Sequence, residues 1–249
     1  MLPNVITPDL LELMDTGSPG DIDFYSQYAR HRGGPVLVLL SGTGRVAVPI
    51  ARQGVPVIGI DADAAMVDQA KRKAQLGNVA RAMFVRADPT NFVSDSKHPL
   101  VIIPGGALSR LLSLDDQRQA LLSVRTALAF GGKLVFDLPI LDPGEAVPAQ
   151  PAVRHVGPSA QVTAVLHRYR TFDSTRQLTQ DTVSCEWLDA SGQVTGKQYA
   201  AVTLRYSTPA EIQLLLEACG FAPVLYGGFD RHPLLPGAAR LVIEADRKD

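Results

Sequence analysis

Short apolar runs alternate with amphipathic stretches through the first half of the chain. Val36–Leu40 is continuously apolar and reads as a buried strand. Arg45–Arg52 reads as a helix with Val46, Pro49 and Ile50 available for packing, and Val55–Ile60 as a second strand that ends at Asp61. Asp63 is placed to cap a helix over Ala64–Gln75, whose apolar face is Met66, Val67 and Ala70 and whose stop is Gly77. Ala82–Arg86 and Leu100–Ile103 are two more strands. Ser113-Leu-Asp-Asp116 is a capping pattern that opens a helix to Ala129, with Leu121, Val124 and Leu128 at helical spacing. Gly131-Gly132 is expected to end it, and Lys133–Leu138 is a fifth strand carrying Asp137 near its end.

The pattern changes after that. Leu141–Pro158 is rich in proline and without period, so it is expected to be a loop or hinge. Val162–Phe172, Gln177–Leu188 and Val194–Tyr206 are β-prone runs separated by turns at Asp173-Ser174-Thr175 and at Asp189–Gly192. Thr208-Pro209-Ala210-Glu211 is a second capping box, with proline at the first helical position, and its helix stops at Gly220. Phe221–Phe229 and Ala239–Ala245 read as closing strands, the last one inside a sheet. Before the first strand, a short helix or arm holds Leu10, Leu11, Leu13 and Met14. Asp21–Arg30 is a helix with Phe24, Tyr25 and Tyr28 near one face.

Strands that alternate with helices predict an α/β fold. The specific expectation is a doubly wound, mostly parallel, seven-stranded sheet of Rossmann type with a small antiparallel β insertion. Residues 1–249 would form a single domain, with 151–206 as a β-meander that covers a substrate.

Composition narrows the partners. The chain has 249 residues, 46% of them hydrophobic and 20% charged, with a net charge of −1. That supports a sizeable core and gives no electrostatic case for nucleic acid or an anionic membrane as partner. Lys71-Arg72-Lys73 reads as a solvated helix face. Cys185 and Cys219 have neither metal-ligand nor CxxC spacing, and no metal site is expected. They suit a reducing compartment, and with no apolar run long enough to span a bilayer the expectation is a soluble cytoplasmic protein.

The chemistry concentrates at Ser41-Gly42-Thr43-Gly44, a small-residue turn between a strand and a helix. Glycine lets a backbone approach a ligand closely and adopt positive φ. Asp61 follows Gly44 by about 17 residues, near the spacing at which an acid meets a ribose in nucleotide-binding βαβ units. A turn of this kind also closes ordinary βα units. Asp88 either reaches a base or caps the turn before Pro89. Tyr25 either packs in the core or covers a ligand.

The order of these signals resembles class I S-adenosylmethionine-dependent methyltransferases, specifically small bacterial members with a β-meander between the fifth strand and the last helix. The resemblance rests on Gly42-Thr43-Gly44-Arg45, Gly59-Ile60-Asp61, Ala87-Asp88 and the segment Leu111–Gln119. It continues in Gly131–Asp137, Leu204–Glu211, Gly220-Phe221 and Gly228-Phe229-Asp230. It implies S-adenosyl-L-methionine as cofactor, with Gly42, Thr43, Gly44 and Arg45 at its methionine moiety and Asp61 on the ribose hydroxyls. Ala62 and Met66 would flank the adenine, with Ala87 and Asp88 at its edge. Pro104 and Gly105 would line the sulfonium end, and Tyr25 would close the pocket.

Two departures stand out. Val38 occupies the place where relatives carry an acid, and Leu40 the place of a small residue. Relatives often carry His where this chain has Arg110, and a guanidinium is a poor base but binds carboxylate or phosphate. The reaction implied is methyl transfer to N, O or C of a small metabolite or natural-product intermediate. Asp137, Arg110 and Tyr25 are the candidate catalytic groups, and His155 and Arg205 further polar groups for the acceptor. The alternatives are a lyase, cyclase or rearrangement enzyme using the same cofactor, and a degenerate binding protein motivated by Val38 and Leu40. The partner is a small molecule, with a homodimer left open.

Overall fold

The computed structural model describes residues 6–141, 152–156 and 162–248. In chain order the elements are α1 (Pro8–Met14), α2 (Asp21–Arg32), β1 (Val36–Leu39), α3 (Ala47–Arg52), β2 (Val57–Asp61), α4 (Ala64–Leu76), β3 (Ala82–Arg86) and β4 (His98–Ile103). A 3-10 turn at Ala107–Arg110 leads to α5 (Leu114–Ala127) and β5 (Leu128–Pro139). There follow β6 (Ala152–Val156), β7 (Val162–Asp173), β8 (Leu178–Leu188), β9 (Val194–Arg205), α6 (Pro209–Ala218), β10 (Phe221–Tyr226) and β11 (Arg240–Arg247).

Two compact units result. The larger comprises Gly17–Leu141 and Ser207–Asp249, the smaller Met1–Thr16 and Asp142–Tyr206. The larger holds a seven-stranded sheet in the order β10-β11-β5-β4-β1-β2-β3. The pairs β1–β2, β1–β4, β2–β3 and β4–β5 are parallel, whereas β11 runs antiparallel between β5 and β10. This is the doubly wound, mostly parallel fold that the alternation predicts, with the last strand inside the sheet as expected.

The continuous apolar runs are explained by burial on both faces. Leu37, Leu39, Val101, Ile103, Leu134, Phe136, Leu241 and Ile243 turn to one side, where they pack with Leu121 and Val124 of α5 and Ile212 and Leu216 of α6. Val36, Val38, Leu100, Ile102, Val135 and Val242 turn to the other, against Phe24 and Tyr25 of α2, Ile50 of α3 and Val67 of α4. Each such side chain, fully buried, contributes about 1.5–3 kcal/mol.

The helix ends follow the capping chemistry. Asp63 accepts from the Ala65 amide at 2.8 Å, Ser113 from Asp116 at 3.0 Å and Thr208 from Glu211 at 3.2 Å. Two expectations need correction. The helix predicted to reach Ala129 ends at Ala127, because Leu128 is buried and pairs with His98 as the first residue of β5. The strand then runs through Gly131-Gly132, and the register shift between His98 and Leu100 absorbs the glycines. The stretch Leu141–Pro158, expected to be a loop, contains β6 at 152–156, while 142–151 and 157–161 lie outside the described residues.

In the smaller unit β6-β7-β8-β9 form an antiparallel sheet. Ala164, Leu166, Val183, Cys185 and Ala200 on one face pack against Leu10 and Leu13 of α1. On β8, Asp181 is 2% exposed and takes both ends of the Arg170 guanidinium, at 2.5 and 2.7 Å. Cys185 and Cys219 are free, buried thiols. No helix among the described residues is long and apolar enough to cross a membrane.

Candidate functional site

The site grows from the end of β1. Leu40 leaves the strand with φ +54°, a left-handed conformation uncommon for a residue with a Cβ. Gly42 and Gly44 follow at φ +53° and +80°, where glycine carries no such cost. The turn is tied to its neighbours by backbone bonds. The Ser41 amide donates to the Ile60 carbonyl at 2.9 Å, and Gly44 to Ser41 at 3.0 Å. Asp61 then clamps it: Oδ2 accepts from the Gly42 amide at 2.8 Å and Oδ1 from the Asp63 amide at 3.0 Å. The Asp61 carbonyl takes the Ala87 amide at 3.1 Å, which brings the third strand's end to the same place.

Beneath the turn there is no spare room. A Cβ on Gly59 would lie 2.5 Å from the Phe84 ring and 2.9 Å from Ser41 Oγ. A Cβ on Gly44 would lie 3.1 Å from both Phe84 and Val48. The helix expected from Arg45 begins two residues later, at Ala47.

The structure therefore brings Gly42, Gly44, Asp61 and Ala87 together at the carboxyl edge of the parallel strands. Thr43 is buried and receives the Lys73 ammonium on its hydroxyl at 3.3 Å. Ala62 is exposed and Met66 buried, 3% exposed, on the inner side of α4. Arg45 turns toward α2, with Nη1 2.7 Å from Asp21 Oδ2. Asp88 is exposed and folds on its own turn: Oδ1 accepts from the Thr90 amide at 2.8 Å and hydroxyl at 2.7 Å. Those two bonds hold its carboxyl below the usual range. Val38 is fully buried among apolar side chains in the face that packs on α2 and α3.

After β4, Pro104 is buried and Gly105 exposed, and Gly105 and Gly106 both have φ +68°. Arg110 closes the 3-10 turn and is exposed. Asp137 and Tyr25, two of the three candidate catalytic groups, lie together in the interior, 1% and 0% exposed. Tyr25 donates to Asp137 Oδ1 at 2.5 Å, and the Gly105 amide donates to the same oxygen at 2.8 Å. Arg240, at the start of β11, holds Oδ2. Burial raises the Asp137 carboxyl above the ordinary carboxylate range, and Arg240, Tyr25 and Gly105 offset this only in part. Burial first, then the facing carboxylate, raises Tyr25 well above an ordinary phenol.

Arg240 was not among the residues singled out from the sequence. A basic residue does open the apolar run ARLVIEA, but only the structure pairs that run with the strand of Asp137. Arg205, considered for the acceptor, is 5% exposed and donates to Gln177 at 3.0 Å within the smaller unit. His155 lies on β6.

Residues 36–132 match a family model described as a methyltransferase domain. This is the stretch from β1 to the glycine pair within β5. Among curated proteins, the 23S rRNA (uracil(1939)-C(5))-methyltransferase RlmD of Psychromonas ingrahamii is 43% identical over 60 residues. The match takes in 24% of this chain and 14% of that protein's length.

Solved structures match over nearly the whole chain. The CcbJ methyltransferase from Streptomyces caelestis is 24% identical with a TM-score of 0.74, covering 94% of this chain and 92% of its own. An S-adenosylmethionine-dependent methyltransferase from Clostridium acetobutylicum is 15% identical with a TM-score of 0.79, covering 97% and 96%. The sugar N-methyltransferase KedS8 from a Streptoalloteichus species is 18% identical with a TM-score of 0.76, covering 98% and 94%. The chain thus has the fold of class I S-adenosylmethionine-dependent methyltransferases, and its segment 36–132 matches the model of a methyltransferase domain.

The residues fit the cofactor of that class. Two glycines leave bare backbone at the turn, and the Asp61 oxygens keep acceptor capacity beyond the amides they hold. The hydroxyl of Ser41 is buried in the turn without a hydrogen-bond partner in the protein.

Proposed function

We propose that the protein transfers a methyl group from S-adenosylmethionine to N, O or C of a small metabolite or natural-product intermediate. The observation that carries this reading is the clamp of Asp61 on Gly42, at the start of the segment that matches the methyltransferase domain. When bound, S-adenosylmethionine supplies an activated methyl group on a sulfonium centre. Gly42 and Gly44 offer backbone at close range, and Asp61 offers carboxylate lone pairs to a ribose diol. Pro104 and Gly105 form the wall at the methyl-donor end. Arg110, exposed beside that wall, binds a carboxylate or phosphate of the acceptor and takes no proton. An acceptor that is already nucleophilic needs chiefly to be held in line with the methyl group, and positioning of that kind provides much of the rate in a displacement.

The test is incubation of the purified protein with radiolabelled S-adenosylmethionine and a panel of small amines, alcohols and phenols. Label in an acceptor, with equimolar S-adenosylhomocysteine, supports methyl transfer. Methylthioadenosine formed without an acceptor overturns it in favour of lyase or cyclase chemistry.

A further inference from the structure

Asp137 joins three separate segments of the larger unit. Its Oδ1 carries both the Tyr25 hydroxyl from α2 and the amide of Gly105, and its Oδ2 carries Arg240 from β11. Gly105 and Gly106 stand consecutively at φ +68°. The turn is closed by the Ala107 amide on the Pro104 carbonyl at 3.2 Å, and the Gly105–Asp137 bond is the side-chain contact that ties it to β5. Pro139 backs the turn from below: a Cβ on Gly106 would meet the Pro139 ring at 2.9 Å, and Pro139 pairs with Arg240 across the strands. The Arg240 side chain is 29% exposed, because it also lines a cavity of about 610 Å³ with Ser18, Pro19, His232 and Leu235.

We propose that Arg240, acting through Asp137, is a positioning residue that sets the Gly105 turn and hence the methyl-donor end of the cofactor site. The inference rests on the cofactor reading above. A carboxylate accepts more strongly than a carboxylic acid, and Oδ1 serves two donors at once. Asp137 is buried, so without a cation its charge is costly and the proton returns. The groups facing it are Tyr25, which stays protonated, and Arg240. Of the acids in the first turn of α2, Asp23 is exposed, and Asp21, which acts on Tyr25, is itself paired with Arg45. Arg240 is therefore the one cation in direct contact with Asp137 among the described residues.

The experiment is calorimetric titration with S-adenosylhomocysteine from about pH 6 to 9, on the wild type, Arg240→Met, Arg240→Lys and Asp137→Asn. The wild type should show little pH dependence. Arg240→Met should bind about tenfold more weakly at the acid end and recover at least partly as pH rises and Asp137 ionises. Arg240→Lys, which keeps the charge, should stay within about threefold of wild type. Asp137→Asn should bind weakly at every pH, having nothing to titrate. If Arg240→Met does not fold, Arg240→Gln is expected to give the same pH dependence. Wild-type affinity in the neutral variants, or weakened affinity without pH dependence, overturns the proposal and leaves Arg240 a strut. Absence of binding to the wild type overturns the cofactor reading, and this inference with it.

Discussion

Asp61→Ala separates the two roles that the structure gives one carboxylate. In the protein alone Asp61 accepts the Gly42 amide at 2.8 Å and the Asp63 amide at 3.0 Å. Hydrogen bonds to a charged group are worth about 1.5–3 kcal/mol, with the lower end applying where water can replace the partner. Asp61 is half-buried and the Asp63 amide exposed, so the expected loss of stability is about 1–3 kcal/mol. With S-adenosylhomocysteine bound, the same change removes the partner of the ribose diol as well. That is a further loss of about 1–3 kcal/mol in binding, or about 5- to 150-fold in Kd. Urea unfolding measures the first effect and calorimetry the second. Asp61→Asn keeps one carbonyl oxygen and should fall between wild type and Ala in both assays. A folded Asp61→Ala variant with Kd within about twofold of wild type would refute the assignment of this carboxylate to the ligand.

Three further outcomes follow from the same contacts. Gly44→Ala forces a Cβ to 3.1 Å from Phe84 and Val48 at φ +80°, so it should cost about 1–3 kcal/mol in urea unfolding; an unchanged midpoint contradicts that packing. Leu40→Gly removes a left-handed cost of about 1–2 kcal/mol and loses partial burial of similar size. Its stability should therefore stay within about 1 kcal/mol of wild type, and a larger loss would show that the side chain is a core residue first. Tyr25 is raised well above its ordinary value, so above about pH 10 the unfolded chain loses a proton that the folded one keeps, and stability falls as pH rises. One such group contributes a slope of up to about 1.4 kcal/mol per pH unit, and Tyr25→Phe should flatten urea midpoints between about pH 10 and 11.5 accordingly; an unchanged slope contradicts the buried pair.

The parallel strands were legible because both sheet faces are buried. Val36–Leu39 and Leu100–Ile103 could then only be unbroken apolar runs, and the caps Asp63, Ser113 and Thr208 marked the helices between them. The start of β5 was not legible. Glycine pairs stop helices more often than they sit in strands, and only the pairing of Leu128 with His98 shows that the chain extends through Gly131-Gly132. Strand β6 was hidden for a similar reason, since a short strand in a proline-rich stretch has no period of its own. In the site, Gly42, Gly44 and Asp61 could be found because a strand, a glycine turn and a second strand fix their mutual distance locally. The partner of Asp137 could not, because Arg240 lies about 100 residues away and meets it through an antiparallel register that turn chemistry alone does not set. Arg45 illustrates the limit from the other side. Its neighbours along the chain point to the cofactor, yet its guanidinium pairs with Asp21 on a preceding helix.

The central claim is that the turn Ser41–Gly44, clamped by Asp61, holds an adenosyl cofactor with Val38 and Leu40 standing where the resemblance calls for an acid and a small residue. Calorimetric titration of the wild type with S-adenosylhomocysteine tests it most directly. One site per chain with micromolar affinity, weakened by Asp61→Ala, is the predicted result. No heat and no change in thermal midpoint at millimolar ligand would contradict the account.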